Sequence, residues 1–108
     1  MYIQVNIGRN FEHSTLGNMP MVSNIWREFQ ERVVYILLQL REHTDMGEPS
    51  VEIHTGVGDW DGVPEESAKI SVYHEGGFDL DSIREQLFNL KKEYSQGTIA
   101  LLIGSELI

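Results

Sequence analysis

The residues able to do chemistry fall in a few short runs. Gly8-Arg9-Asn10 directly follows an apolar–polar alternation. Glycine allows a tight turn there, and a guanidinium beside an amide can grip phosphate or carboxylate through paired hydrogen bonds. The competing reading is a turn with a solvated arginine, and residue type alone favours it. The GxxxxGK[ST] phosphate loop is missing. Glu65-Glu66-Ser67 sets two carboxylates side by side, the material of general acid–base work or of a metal site. In a strand, neighbours point to opposite faces, so only one of the pair can serve a given site.

Gly56-Val57-Gly58-Asp59-Trp60-Asp61-Gly62 is the densest glycine stretch. It reads as a hairpin tip in which Trp60 either stacks on a ligand or anchors the hairpin, the second being the more ordinary use of a large apolar ring. Asp59 and Asp61 do not complete the calcium-loop spacing. His13, His43, His54 and His74 show no i,i+3 or i,i+4 pairing, and HExxH and GxSxG are both missing. With no cysteine there is no thiol nucleophile, thiolate metal site or disulfide. One enzymatic constellation remains by residue type, Glu65 or Glu66 with His54. The reading therefore leans away from an enzyme and implies no cofactor and no metal.

The elements that must position these groups follow from periodicity. Ile3, Val5 and Ile7 alternate with Tyr2, Gln4 and Asn6, which predicts a strand over 2–8 with one apolar face. A long loop, 9–22, carries Gly17, Asn18 and Pro20. Ser23 is the expected N-cap of a helix running to about Thr44, with Ile25, Phe29, Val33, Ile36, Leu37 and Leu40 on one face. A strand is predicted over 51–57, a glycine-rich connection over 58–64 and a strand from about Ser67 to Tyr73. Asp79 caps a second helix, Leu80 to about Gln96, with Gly97 at its C′ position. A last strand covers 98–103. The order β-α-β-β-α-β predicts an α+β, ferredoxin-like single domain over 1–108: a four-stranded antiparallel sheet with two helices on one face.

Such a sheet leaves one face uncovered. That face should carry Tyr2, Gln4, Asn6, Glu52, His54, Lys69, Ser71, Tyr73, Ala100 and Leu102. It can be wet, pack against a second copy, or hold a polar ligand between copies. The net charge of −9, from seventeen acids against eight Lys and Arg, repels nucleic-acid backbone and anionic membrane. It suits solubility, or docking on a basic protein. No signal-peptide pattern or membrane-length apolar run is present, so a cytoplasmic setting is expected.

Trp60-Asp61-Gly62-Val63-Pro64-Glu65-Glu66-Ser67, with Val22-Ser23-Asn24-Ile25-Trp26-Arg27-Glu28-Phe29 after a strand ending in glycine, resembles a bacterial domain family of unknown function common in small lipoproteins. The chain also resembles small uncharacterised proteins of tailed phages, which begin with a similar I-G-R-N. The resemblance implies the βαββαβ order and marks Arg9, Trp60, Glu65, Glu66 and Ser67 as characteristic positions. Lacking the lipidation cysteine, this chain departs toward the phage-type, host-cytoplasmic members.

The function expected on these grounds is that of a phage-type accessory protein that sequesters a small anionic host molecule, such as a nucleotide signal, as a counter-defence. The binding set would be Arg9, Asn10, His54, Trp60, Glu66, Lys69 and Tyr73, shared between copies of a homo-oligomer joined through the open sheet face. The alternative is an acidic inhibitor of a host protein; a small enzyme comes third.

Overall fold

The computed structural model describes residues 1–11, 19–60, 63–96, 99–103 and 106–107. At its centre is β1 (Tyr2–Gly8), whose Ile3, Val5 and Ile7 are sealed from water. It pairs antiparallel with β5 (Val63–Tyr73) on one side and β6 (Ala100–Ile103) on the other. β4 (Ser50–Trp60) lies outside β5, and the two-residue β7 (Glu106–Leu107) lies outside β6, so the order is β4-β5-β1-β6-β7. A separate two-stranded piece, β2 (Asn10–Phe11) with β3 (Met19–Pro20), folds part of the 9–22 stretch back on itself. His13 and Gly17 lie outside the described residues.

Two helices, α1 (Ser23–Gln39) and α2 (Leu80–Glu93), bury the inward side of β1 and β5. The expected α+β, ferredoxin-like arrangement is what the chain adopts. Period-two burial on the strands and a 3.6-residue stripe on the helices meet in one core. Phe29 is its keystone, fully buried, with Tyr94 stacked at 4.5 Å and Trp26 edge-on at 6.3 Å.

Several boundaries differ from the sequence expectation. Val22, not Ser23, occupies the N-cap position of α1, without a side-chain cap. The reason is upstream: the Met21 amide donates to the Arg9 carbonyl, which holds the chain extended into Val22. α1 also stops at Gln39 rather than near Thr44. Arg41 bridges to Phe78, the Glu42 amide donates to Gly77 and the Asp79 amide donates to Leu40, so the linker is spent on the turn before α2. Gly76 is needed there, because a Cβ would collide with the Glu42 and His43 carbonyls. The 58–64 connection is largely strand: β4 and β5 run to Trp60 and Val63 in unbroken register.

Asp79 caps α2 as expected, accepting from the Ser82 amide. Its C-terminal end is two residues earlier than Gly97 implied. The Gln96 amide donates to Lys91 and the Ser95 amide to Lys92, a Schellman closure with Ser95 at C′ and φ of 51°. Gly97 lies outside the described residues.

The seam between the helices is polar at one end. Arg32 donates to Glu93 at 2.5 Å, and the Tyr94 hydroxyl donates to Glu28 at 2.5 Å. Burial, then the Glu28 hydrogen bond, raises the Tyr94 phenol above its usual range, and Arg32 opposes this. Glu93 is held below the usual carboxylate range by its hydrogen bond from Arg32.

Two tests follow from these ends. Ser95→Gly should stabilise the fold by about 1 kcal/mol, seen as a rise in Tm, because glycine takes the left-handed conformation without the Cβ penalty. The Arg32–Glu93 contribution depends on an ionised Glu93. It is complete well above the ordinary glutamate value of 4.5 and lost as pH falls through the lowered folded value. The Tm gap between wild type and Glu93→Gln should therefore be open at neutral pH and close on acidification.

Candidate functional site

The chain leaves β1 through Gly8-Arg9-Asn10 and meets the start of β5, where Gly8 pairs with Ser67. Register puts Glu66 on the helix-covered side, with Ala68 and Ile70, and Glu65 on the open side, with Ser67 and Lys69. The two adjacent carboxylates thus serve opposite faces. On the covered side Arg9 meets Glu66: Nη1 donates to Oε2 at 2.5 Å, Nε donates to the Met21 carbonyl at 2.7 Å, and the Arg9 amide donates to the Glu66 carbonyl at 2.9 Å. The Ser23 hydroxyl lies 3.5 Å from the same guanidinium. On the open side Glu65 lies over Gly8, where a Cβ would collide with its carboxylate, and accepts from the Asn10 amide at 2.6 Å. Gln96 closes the cluster by donating to the Asn10 carbonyl at 2.9 Å.

Arg9 and Asn10 are therefore held by internal partners. The arginine side chain is 20 % exposed and that of Glu66 45 %, so the pair is half-sheltered. Gln96 and Glu65 are the members that residue type did not mark as partners of this turn. No local pattern signals Gln96, because its role depends on where the Schellman closure aims the chain.

The open face is a grid set by register. One row runs His54, Lys69, Asn6, Ala100; the next runs Glu52, Ser71, Gln4, Leu102; the last runs Ser50, Tyr73, Tyr2. Hydrogen bonds stitch it together: the Tyr2 hydroxyl lies 2.9 Å from Ser71 Oγ and 3.2 Å from Gln4 Oε1, and Gln4 reaches Asn6 at 3.4 Å. His54 Nε2 lies 3.4 Å from Glu52 Oε2. Lys69 and His54 face each other directly, with Lys69 also opposite Asn6, so a cation, an imidazole and an amide share one row.

The seven sequence-marked residues thus divide into three places. Arg9, Asn10 and Glu66 gather at the end of β1. His54 and Lys69 gather on the open face. Tyr73 stands four residues from Lys69, about 13 Å along the strand. The side chain of Trp60 lies outside the described residues; its backbone pairs with Val63, ten residues and about 33 Å along β5 from Tyr73. Within one chain Trp60 and Tyr73 do not form a common site. Among the described residues no three His, Asp or Glu side chains cluster for a metal, and no helix is long and apolar enough to cross a membrane.

No family model and no curated protein matches the chain. Two solved structures do resemble it. One is a phage SAM lyase in the apo state, 15 % identical, with a TM-score of 0.56 over 93 % of this chain and 75 % of that one. The other is a phage SAM lyase in complex with S-methyl-5′-thioadenosine, 16 % identical, with a TM-score of 0.54 over 93 % and 76 %. At these identities the likeness is one of fold.

The Arg9 cluster predicts its own sensitivity. Arg9→Met keeps the aliphatic stem but removes the bonds to Glu66 and Met21, and should cost about 1–3 kcal/mol in urea unfolding. Glu66→Gln, which leaves a half-exposed neutral acceptor, should cost about 1 kcal/mol or less.

Proposed function

We propose that this chain is a phage-type accessory protein that binds a thioadenosine-class nucleoside, S-adenosylmethionine or its thioether product, and so withdraws a small host molecule. The observation that carries this is a fold shared over nearly the whole chain with a phage SAM lyase seen with methylthioadenosine bound. The ligand chemistry suits the chain. A sulfonium is a cation, and a net charge of −9 draws cations in. The amino-acid end of such a ligand carries a carboxylate, for which Lys69 is the open-face cation. An adenine ring needs a flat apolar partner, which Tyr73 or Trp60 can supply. Arg9, tied to Glu66, serves as a frame for the turn rather than as the anion grip.

The same relative favours a second step, cleavage. Release of methylthioadenosine from a sulfonium breaks the bond from sulfur to the amino-acid chain. The bonding pair stays on sulfur, which departs as a neutral thioether, while an oxygen of the ligand's own carboxylate bonds the carbon that sulfur leaves and closes a lactone, so no proton has to move. A site for this reaction has only to orient the ligand and exclude water, which is compatible with a chain that carries no recognisable catalytic motif.

Calorimetry with S-adenosylmethionine, S-adenosylhomocysteine and methylthioadenosine tests binding, and chromatography of the first after incubation tests cleavage. Micromolar binding is expected, weakened roughly tenfold by Lys69→Ala, a loss of about 1.4 kcal/mol. If none of the three binds, and a basic host protein is instead retained in a salt-sensitive way, the acidic-inhibitor reading replaces this one.

A further inference from the structure

Among the described residues β4 is the long unpaired edge of the sheet. It pairs with β5 over all of Ser50–Trp60 without a bulge, while the opposite edge, β7, is two residues long. Natural edge strands of this length are usually blunted by lysine, proline, a bulge or a covering element. From Ser50 to Trp60 there is no Lys, Arg or Pro. No residue of β4 belongs to the buried core among the described residues, so the helices stop short of it. Three of its helix-side residues are apolar and open: Val51 is 40 % exposed, Ile53 44 % and Val57 76 %. On the other side Glu52 and His54 are both well exposed.

The sequence of β4 is complementary to itself in one antiparallel register. With Ile53 on a two-fold axis, Ile53 faces its own copy, Val51 faces Thr55, and Glu52 faces His54 twice. Shifting the axis to Glu52 puts two carboxylates face to face. Shifting it to His54 or Thr55 leaves Glu52 opposite a glycine. Only the Ile53-centred register matches acid with imidazole and branched side chain with branched side chain, the pairings that stabilise neighbouring strands. It also sets each His54 between Lys69 of its own chain and Glu52 of the partner copy, so that the cation and the acid flank the ring.

We infer that β4 is a homodimer interface: two copies pair antiparallel through β4 about a two-fold axis at Ile53, fusing their sheets into one. The occupant is a second copy of this chain, because the charge order along the strand answers itself. A two-fold axis perpendicular to the sheet keeps the helices of both copies on the same side. Val51, Ile53 and Val57 from the two chains then line a shared apolar trough between the helix layers. The inference uses the sheet edge alone and does not depend on which ligand the protein takes.

The chain lacks cysteine, which makes the test direct. Ile53→Cys places two thiols opposite each other on the axis, within the Cα spacing a disulfide tolerates. Under mild oxidation it should convert to a covalent dimer of twice the 12.4 kDa chain, while Val57→Cys, paired with Pro49 in this register, should cross-link far more slowly. Sedimentation of the cysteine-free protein should show the same dimer. His54→Glu, which sets like charges opposite Glu52, should weaken it roughly tenfold. The double exchange Glu52→His with His54→Glu should restore it, because both residues are surface positions and their order is merely inverted. A monomer at high micromolar concentration overturns the inference. Equal cross-linking at the two cysteine positions, or a dimer indifferent to the charge exchange, overturns it as well.

Discussion

Strand β1 is bonded on both sides, along its whole length to β5 and over Ile3–Asn6 to β6, and its three inward residues are dry. Pleating gives each strand a period of two, so the choice of Ile3, Val5 and Ile7 for the inner face also fixes Tyr2, Gln4 and Asn6 on the outer one. A slip of one residue would exchange the two sets. The register of β1 against β5 then decides where every chemically able group of the sheet stands. It sets Lys69 between His54 and Asn6, and it sends Glu65 and Glu66 to opposite sides.

The end of β1 is where that constraint meets the rest of the fold. Beyond Gly8 the chain must leave the sheet while keeping its polar backbone satisfied. Glu65 accepts from one amide, the Glu66 carbonyl from another, and Gln96 covers the Asn10 carbonyl. Arg9 ties this exit to Met21 and to the entry of α1. Residues from four separate parts of the chain are thereby fixed at one corner, which makes the corner a scaffold that holds the adjoining open face in shape.

Much of this was readable from the chain alone, for identifiable reasons. Alternation in 2–8 and in 68–73 exposed both faces of the sheet, and the apolar stripes around Phe29 and Leu87 gave the helices. What misled was turn chemistry. Gly58 and Pro64 are turn residues by type, yet they lie in strand. Pro64 is tolerated because β1 pairs no further along β5 than Ser67, leaving its missing amide on a side with no paired strand among the described residues. Ser95 took the left-handed place that Gly97 advertised, because the end of α2 is set by Tyr94 packing on Phe29. Arg9 and Glu66 each stood out by type, but their pairing across 57 positions is a fact of register, and register over that distance leaves no local trace.

The sheet's strand order also governs how the chain comes together. Of the described strands β1 comes earliest in the chain, yet Gly8 must find Ser67 and Ile3 must find Ile103, so the central strand is completed by segments that follow it by many residues. The β4–β5 hairpin, by contrast, joins positions only a few residues apart at its tip and can close as soon as it emerges. Closing the long loops must be achieved before the distant pairs reward it. During translation, Ile3, Val5 and Ile7 therefore wait uncovered while the hairpin and α1 gather. The nascent chain has a window in which its central strand is available to a chaperone, and that window narrows only once β5 and then β6 have emerged.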